Sequence, residues 1–207
     1  MLLAGGLSRR MGCGDKNLLL IGEKSILQHV IERARPQVSR LLLNANGELT
    51  RFKKFGLPVI PDSVQGNLGP LAGILSGMEW SLENVPECSW LLTLPTDAPF
   101  IPFNMVSAFL AQLKKDGSDI VCAVTKGRTH PPFALWRISL VTELRSALVL
   151  EGLRKIDAWT SRFSVSYVTF DDCEYDPFFN INNLEDLQEA RAVFEKSVNK
   201  QPSEVKS

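Results

Sequence analysis

The residues most suited to chemistry stand near the start of the chain, in the run LLAGGLSRRMGCGDK at residues 2–16. An apolar stretch leads into Gly5 and Gly6, and Arg10 and Lys16 follow with further glycines between them. Glycine backbones leave N–H groups free to approach phosphate oxygens, and basic side chains neutralise phosphate charge. An aspartate precedes the lysine, so the run is not a P-loop, and it lacks the G-x-G-x-x-G order of a dinucleotide site. The loop suits a nucleoside triphosphate, whereas two glycines alone would simply turn a surface loop.

Three further polar positions each follow an apolar run: Asn44, Asp62 and Asp97. Asp97 stands in a turn between two prolines and is the best candidate to hold Mg²⁺, which takes one or two carboxylates and completes its shell with phosphate oxygens and water. The competing interpretation is an Asx turn. Asn44 and Asp62, with backbone carbonyls near Leu3, are suitable acceptors for a base or ribose, although each also suits a strand-end turn.

The run GPLAG at residues 69–73 opens a predicted helix. Gly69 and Gly73 would lie in its first turn, where backbone donors face anions and the lack of a side chain permits close approach. Close packing of the helix on the sheet explains the same two glycines equally well, and both roles can hold together.

The elements that position these residues alternate along the chain. Short apolar runs alternate with helical patterns, which is typical of an α/β domain whose mostly parallel sheet has helices on both faces. Ser25 is predicted to cap a helix that stops at Pro36. Ligands of such sheets bind beyond the carboxyl ends of the strands. We therefore expect the loops that carry Gly5, Asn44, Asp62 and Asp97 to meet at one edge.

Composition narrows the class of protein. The chain has 207 residues, 44% of them hydrophobic, and its 23 basic residues balance 23 acidic ones. No overall charge would attract nucleic acid or a membrane surface, so we expect neither as a partner. The four cysteines have no C-x-x-C spacing and indicate reduced thiols in a cytoplasmic protein. No run approaches the length of a membrane span.

The run LAGGLSRRMGCGDK resembles the signature of the molybdenum cofactor guanylyltransferase family. The resemblance covers about residues 2–190 and continues through NAN at 44–46, PDS at 61–63, GPLAG at 69–73, PTDAPFIP at 95–102, HPP at 130–132, GLRK at 152–155 and NIN at 180–182. It implies a single three-layer domain with a Rossmann-like nucleotidyltransferase fold. The implied activity is transfer of GMP from Mg·GTP to the phosphate of molybdopterin, with or without molybdenum, and release of pyrophosphate.

The resemblance also implies roles for individual residues. The residues implied to bind the nucleotide are Leu3, Ala4, Gly5, Gly6, Lys16, Asn44, Asp62, Gly69, Gly73 and Asp97. The catalytic group is Arg10, Lys16 and Asp97, with Asp97 as the ligand of the Mg²⁺ cofactor. The residues implied to bind the acceptor are His130, Arg154, Lys155, Asn180 and Asn182. A lone histidine before two prolines is also typical of a loop residue without a chemical role.

The sequence departs from the family pattern at two places, and three other functions remain as alternatives. Only Met1 and Leu2 precede Leu3, where the family has a longer first strand. Before the last helix, Asn183 replaces the usual threonine, and Asn183 can still cap that helix. The rivals are a molybdopterin cytidylyltransferase, another small-molecule nucleotidyltransferase, and a non-catalytic nucleotide-binding module. The second glycine of Leu-Ala-Gly-Gly favours guanine.

The expected organisation is one nucleotidyltransferase domain over residues 1–196. Its nucleotide-binding part spans about residues 1–115 and its acceptor-binding part about residues 116–196, and a flexible tail is expected over 197–207. GTP and molybdopterin are the expected substrates, and transient contacts with enzymes that make or receive the cofactor are expected.

Overall fold

Strands and helices alternate in the computed structural model, which describes residues 1–4, 16–66, 68–171 and 175–199. The strands of these ranges are β1 (Leu2–Leu3), β2 (Leu20–Ile21), β3 (Lys24–Ser25), β4 (Leu43–Asn44), β5 (Val59–Ile60), β6 (Trp90–Pro95), β7 (Ile120–Thr125), β8 (Arg128–Arg137) and β9 (Val165–Thr169). The helices are α1 (Ile26–Ala34), α2 (Pro70–Asn84), α3 (Met105–Asp116), α4 (Val141–Val149), α5 (Ile156–Thr160) and α6 (Leu184–Asn199). Short 3-10 turns cover Lys16–Leu18, Arg35–Gln37, Leu49–Phe55 and Ile138–Leu140.

A seven-stranded sheet runs in the order β5-β4-β1-β6-β8-β7-β9, and β2 and β3 form a separate antiparallel pair. The strands β5, β4, β1 and β6 pair in parallel, as do β7 and β9. Strand β8 pairs antiparallel with both of its neighbours. The predicted α/β domain with a mostly parallel sheet is confirmed.

The sheet is buried on both faces because its strands alternate between two apolar clusters. In β7, Val121 and Ala123 belong to one cluster and Ile120 and Cys122 to the other, as expected when successive side chains point to opposite faces. Residues of α1 and α3 complete the first cluster, and residues of α2, α4 and α5 complete the second. The result is the predicted three-layer arrangement.

The helix ends follow from local sequence. Ser25 caps α1 as predicted, since its hydroxyl accepts a hydrogen bond of 3.2 Å from the Gln28 N–H. Asn183 likewise caps α6 through a bond of 2.8 Å from the Asp186 N–H to its side-chain oxygen. The Asp186 carboxylate in turn accepts from the Asn182 N–H at 2.7 Å, close to the pattern of a capping box. None of the helices in the described ranges is long and apolar enough to cross a membrane.

A third apolar cluster joins α6 to the segment that follows Lys16. Ile21 and Ile26 pack there with Ile181 and residues of α6. The Arg191 guanidinium donates two hydrogen bonds, of 3.1 and 2.9 Å, to the Leu20 carbonyl. The last helix therefore braces the strand pair β2–β3 directly after the opening loop.

A cavity of about 180 Å³ lies at the opposite edge of the sheet from the predicted ligand loops, between the approach to β4 and the start of β6. Its lining includes Met1, Arg40, Leu42, Trp90 and Leu92. The Met1 amino group is buried there and donates a hydrogen bond of 2.5 Å to the Leu92 carbonyl. Burial lowers the pKa of this amine to about 5.

Three elements differ from the sequence prediction. The helix α5, the 3-10 turn Leu49–Phe55 and the pairing of β2 with β3 were not predicted. Residues 197–199, expected in the tail, continue α6, because nothing in their sequence stops a helix. Residues 200–207 lie outside the described part of the chain.

Candidate active site

The carboxyl ends of β5, β4, β1 and β6 meet at one edge, as the parallel pairing requires. In register, Leu3 of β1 lies between Asn44 of β4 and Pro95 of β6, and Asn44 lies beside Ile60 of β5. The predicted nucleotide residues Leu3, Ala4, Asn44, Asp62 and Asp97 are therefore brought to a common edge. Gly5, Gly6 and Arg10 lie outside the described residues.

Lys16 joins three separate parts of the chain at this edge. Its ammonium donates a hydrogen bond of 2.6 Å to Asp97 Oδ2 and longer ones to the Ile181 carbonyl at 3.3 Å and to Asn182 Oδ1 at 3.4 Å. The side chains of Lys16 and Asp97 are each 18% exposed, so this ion pair is shielded but open to a ligand. The predicted cation and the predicted metal ligand are thus in direct contact.

The two carboxylate oxygens of Asp97 have different surroundings. Oδ2 is bound to Lys16, whereas Oδ1 is buried and accepts no hydrogen bond among the described residues. A buried carboxylate oxygen without a partner is costly unless a cation or donor reaches it. The Asp97 backbone carbonyl accepts a hydrogen bond from the Ile181 N–H at 2.9 Å, which fixes the turn. Asp97 therefore fits the role of ligand to a divalent metal ion.

Thr96 was missed by sequence reasoning and fixes the end of β1. Its N–H and its hydroxyl both donate to the Leu3 carbonyl, each at 3.2 Å. The Ala4 N–H donates to the Asn44 carbonyl at 2.9 Å. The Leu3 carbonyl, considered as an acceptor for the base, is thus already engaged by two donors, and Thr96 connects the strand that leads into the glycine loop to the turn that carries Asp97.

Asn44 and Asp62 are bound to each other rather than standing apart. The Asn44 amide nitrogen donates to Asp62 Oδ1 at 2.9 Å and to the Ile60 carbonyl at 3.3 Å. Asn46 holds the other carboxylate oxygen, Oδ2, at 2.8 Å. Asn44 is buried and Asp62 is half-buried. These bonds lock the ends of β4 and β5 together beside the start of α2.

The two glycines of GPLAG have different settings. Gly69 adopts a positive φ of 75° directly before Pro70, the first residue of α2, and is exposed. Gly73 is buried, and a Cβ added to it would lie 2.4 Å from Asn44 Oδ1 and 2.9 Å from Leu3 Cδ2. Gly73 therefore packs closely against the sheet. The side chain that lies in the space left by its missing Cβ is that of Asn44, itself a predicted nucleotide contact.

The predicted acceptor residues fall into three groups, namely Asn180 with Asn182, Arg154 with Lys155, and His130. Asn182 lies beside Lys16 and donates to the Asn180 carbonyl at 3.2 Å. Arg154 is exposed, but its guanidinium donates to the Leu148 and Leu153 carbonyls at 2.9 and 2.7 Å and so closes the end of α4. Lys155 is exposed at the start of α5.

His130 is buried in β8 and is not brought to Lys16 directly. Its Nε2 shares a hydrogen bond of 2.7 Å with Thr125 Oγ1, and its ring packs against Phe178 at 4.9 Å between centroids. Burial lowers the pKa of His130 below its usual 6.5, with the Asp176 carboxylate opposing the shift. It supports the segment that leads to Asn180 and Asn182 instead of presenting a free ring.

Comparison with known proteins places this geometry in a family. Residues 1–163 match the model of the MobA-like NTP transferase domain. The chain is 45% identical over 193 residues to the molybdenum cofactor guanylyltransferase of Bradyrhizobium sp., covering 93% of this chain and 91% of that protein. It is 44% identical to the enzyme of the same name from Rhodopseudomonas palustris, with coverage of 93% and 92%.

A solved structure agrees over the same span. Molybdopterin-guanine dinucleotide biosynthesis protein A from Archaeoglobus fulgidus superposes with a TM-score of 0.75 at 26% identity, covering 94% of this chain and 97% of that one. Both the family model and the relatives include the edge that holds Lys16 and Asp97. The chain belongs to the MobA-like NTP transferase family, among the molybdenum cofactor guanylyltransferases.

Proposed function

We propose that this protein transfers GMP from GTP to the phosphate of molybdopterin, forming the guanine dinucleotide cofactor and pyrophosphate. The observation that carries the proposal is the contact between Lys16 and Asp97 at the carboxyl edge of the sheet, beside the end of the strand that leads into the glycine-rich loop. The names of the relatives supply the base and the acceptor.

The attacking group needs no general base. A phosphomonoester has a second pKa of about 6 and is already mostly a dianion at pH 7. The remaining tasks are to align that oxygen with the α-phosphorus and to balance the charge that moves onto pyrophosphate. Lys16 supplies a positive charge at this edge, and Asn182, within hydrogen-bond distance of the same ammonium, links it to the proposed acceptor side. We assign Arg10 to the triphosphate on its sequence position.

We propose Mg²⁺ as the metal ion, since nucleotidyltransferases of this family generally use a divalent metal. Asp97 would hold it, because its buried Oδ1 has no hydrogen-bond donor among the described residues. When bound, the ion would neutralise charge on the phosphates. Within the same part of the chain no three histidine, cysteine or acidic side chains form a metal cluster. A single aspartate is nonetheless sufficient protein ligation for Mg²⁺, whose other positions phosphate oxygens and water can fill.

We further propose a division of the edge between the two substrates. Leu3, Ala4, Asn44, Asp62 and the helix start at Gly69 and Gly73 lie on the nucleotide side. We assign Asn180, Asn182, Arg154 and Lys155 to the acceptor side, and His130 to support of the segment before Asn180 through its contact with Phe178. Cytoplasmic location and transient contacts with enzymes that make or receive the cofactor belong to the same proposal, supported by the free thiols of Cys88 and Cys122.

The test is pyrophosphate release from each of the four nucleoside triphosphates, with Mg²⁺ and with or without molybdopterin. Release should require molybdopterin and should be fastest with GTP by at least about tenfold, the effect of about 1.4 kcal/mol in the transition state. Equal rates with CTP would identify a cytidylyl or unselective enzyme. Nucleotide binding without any release would identify a binding module instead.

A further inference from the structure

The carboxylate that we assign to the metal ion is also the acidic partner of Lys16. The Lys16 ammonium lies 2.6 Å from Asp97 Oδ2, and the two side chains are each 18% exposed. Asp97 Oδ1 is buried, so the solvent-facing part of this side chain is the part that includes Oδ2. A cation that approaches from solvent therefore meets the carboxylate on the side where Lys16 is bound.

The ion pair changes the charge that such a cation encounters. The ammonium and the carboxylate together carry no net charge, so they attract a free divalent ion far more weakly than a lone carboxylate would. The ammonium also repels any second cation that binds the same carboxylate. Because both side chains are largely shielded, salt screens this repulsion less than it would at an exposed pair. Lys16 therefore opposes a metal ion that arrives without negative charge of its own.

Lys16 can leave Asp97 without a change in its backbone. Its carbonyl accepts a hydrogen bond of 3.2 Å from the Leu19 N–H, which fixes the backbone of the 3-10 turn. Its other side-chain bonds, to the Ile181 carbonyl at 3.3 Å and to Asn182 Oδ1 at 3.4 Å, are longer than the usual 2.9–3.0 Å. Rotations within its flexible four-carbon stem are sufficient to move the ammonium to another anion.

We propose that Lys16 makes metal binding depend on the nucleotide: it competes with a free divalent ion for Asp97 and releases the carboxylate when a triphosphate binds the ammonium. This inference rests on the proposed guanylyl transfer, in which Asp97 holds the metal ion and Lys16 contacts the triphosphate. The triphosphate supplies the negative charge that the ion pair lacks. Metal ion and nucleotide therefore strengthen each other's binding, and this coupling is reciprocal.

The first experiment titrates the full chain with Mn²⁺ alone, without nucleotide, and reads bound and free ion by electron paramagnetic resonance. The variants are Lys16→Gln, which keeps a neutral donor, and Lys16→Met, which keeps the apolar stem, each with and without Asp97→Asn. Lys24→Gln is the matched control, because Lys24 forms an ion pair of 2.8 Å with Glu32 in which both side chains are exposed. Melting curves establish that each variant is folded.

Both Lys16 variants should bind Mn²⁺ at least about tenfold more tightly than the unchanged protein, a difference of about 1.4 kcal/mol. Lys24→Gln should bind it as the unchanged protein does. Asp97→Asn should abolish the gain, because the carboxylate for which Lys16 and the ion compete is then absent. A lysine that only stabilised the fold would leave Mn²⁺ affinity the same or lower it.

The second experiment measures GTP binding in EDTA and needs no Lys16 variant to fold. Without metal ions, the unchanged protein must break its ion pair before Lys16 can bind the triphosphate. Asp97→Asn frees the ammonium in advance, so it should bind GTP about tenfold more tightly than the unchanged protein under these conditions. Where Lys16→Gln is folded, the same Asp97 substitution should give a smaller gain.

Three results would overturn the inference. They are an unchanged or weaker Mn²⁺ affinity in the Lys16 variants, a gain in Mn²⁺ affinity that persists with Asp97→Asn, and GTP binding in EDTA that does not improve with Asp97→Asn. Failure of the proposed function is a separate result, because the unchanged protein would then release no pyrophosphate from GTP with molybdopterin. The Mn²⁺ titrations still decide in that case, since competition for Asp97 is measured without any transfer.

Discussion

Replacing Gly73 by alanine tests whether the position of Asn44 determines nucleotide binding. The added Cβ would lie 2.4 Å from Asn44 Oδ1 and 2.9 Å from Leu3 Cδ2, well inside van der Waals contact. The Asn44 amide oxygen would have to retreat by roughly 1 Å, because ordinary van der Waals contact with a Cβ begins at 3.4 Å. It is held in place by its bonds to Asp62 and the Ile60 carbonyl.

The expected cost follows from these two alternatives. If the amide keeps its bonds and α2 shifts away instead, overpacking costs about 1–3 kcal/mol of the free energy of unfolding. If it moves, a hydrogen bond to a charged group worth about 1.5–3 kcal/mol is lost. Alanine in place of glycine inside a helix returns about 1 kcal/mol. The net loss of about 1 kcal/mol should lower Tm by about 2–4 °C for a chain of this size.

Nucleotide binding should suffer more than stability. If Asn44 binds the nucleotide as proposed, its displacement should raise Kd for GTP about tenfold or more, corresponding to about 1.4 kcal/mol. Thermal melts and isothermal titration with GTP and Mg²⁺ measure both effects. Gly77→Ala is the matched control, four residues further along α2, where the added Cβ would meet Met1 Sδ at 2.5 Å. The Met1 side chain is unbranched and flexible and can turn aside.

Two results would refute this reasoning. If Gly73→Ala binds GTP as tightly as the unchanged protein, the contact between Asn44 and Gly73 is only packing. If Gly73→Ala and Gly77→Ala weaken GTP by equal factors, the loss comes from a general disturbance of α2 and not from Asn44.

Three further predictions concern the metal ligand, the start of β1 and a buried histidine. Asp97→Asn should fold normally and lose about a hundredfold or more in kcat at saturating GTP and Mg²⁺, because the charge that holds the cation is removed. Glu87→Gln serves as the control for loss of a charge. If Asp97→Asn keeps more than about a third of the activity, Asp97 is a turn residue only. Five apolar, strand-forming residues joined to Met1 should extend β1 into the cavity between β4 and β6 and replace a buried amine by a peptide N–H, so that Tm and GTP affinity rise together. A Gly-Ser extension of equal length should raise neither. Equal effects of the two extensions would contradict a role for a longer β1. Because burial lowers the pKa of His130 below 6.5, the unfolded state binds more protons than the folded state as the pH falls through that value, and stability should drop from pH 7 to 5. His130→Gln should show a smaller difference in Tm between the two pH values. A difference as large as that of the unchanged protein would exclude His130 as the cause.

Local signals in the sequence predicted most of the fold. Ser25 and Asn183 cap the helices they precede because a cap depends only on the next few residues. The alternation of apolar runs and helical patterns predicted the mostly parallel sheet, and with it the edge at which Asn44 and Asp97 both lie. The pattern was sufficient to predict this shared edge because parallel strands bring their carboxyl ends together.

The contacts that complete the candidate site depend on distant segments and left no local signal. The Lys16 ammonium meets the Ile181 carbonyl and Asn182, more than 160 positions away. Thr96 was overlooked because a threonine beside an aspartate has no pattern of its own. The five-residue helix α5 is too short to show a helical period, and the burial of Ile156 and Trp159 in the tertiary structure stabilises it.

The bracing of the segment after Lys16 by α6 has a consequence for synthesis on the ribosome. Arg191 binds the Leu20 carbonyl across 171 positions, so this support is absent until α6 has left the exit tunnel. At about 5–20 residues per second, the last sheet strand, β9 (Val165–Thr169), emerges roughly 1–3 s before α6 (Leu184–Asn199) begins to emerge. The nascent chain should therefore form its layers first and complete the bracing of β2 and β3, which follow Lys16, last.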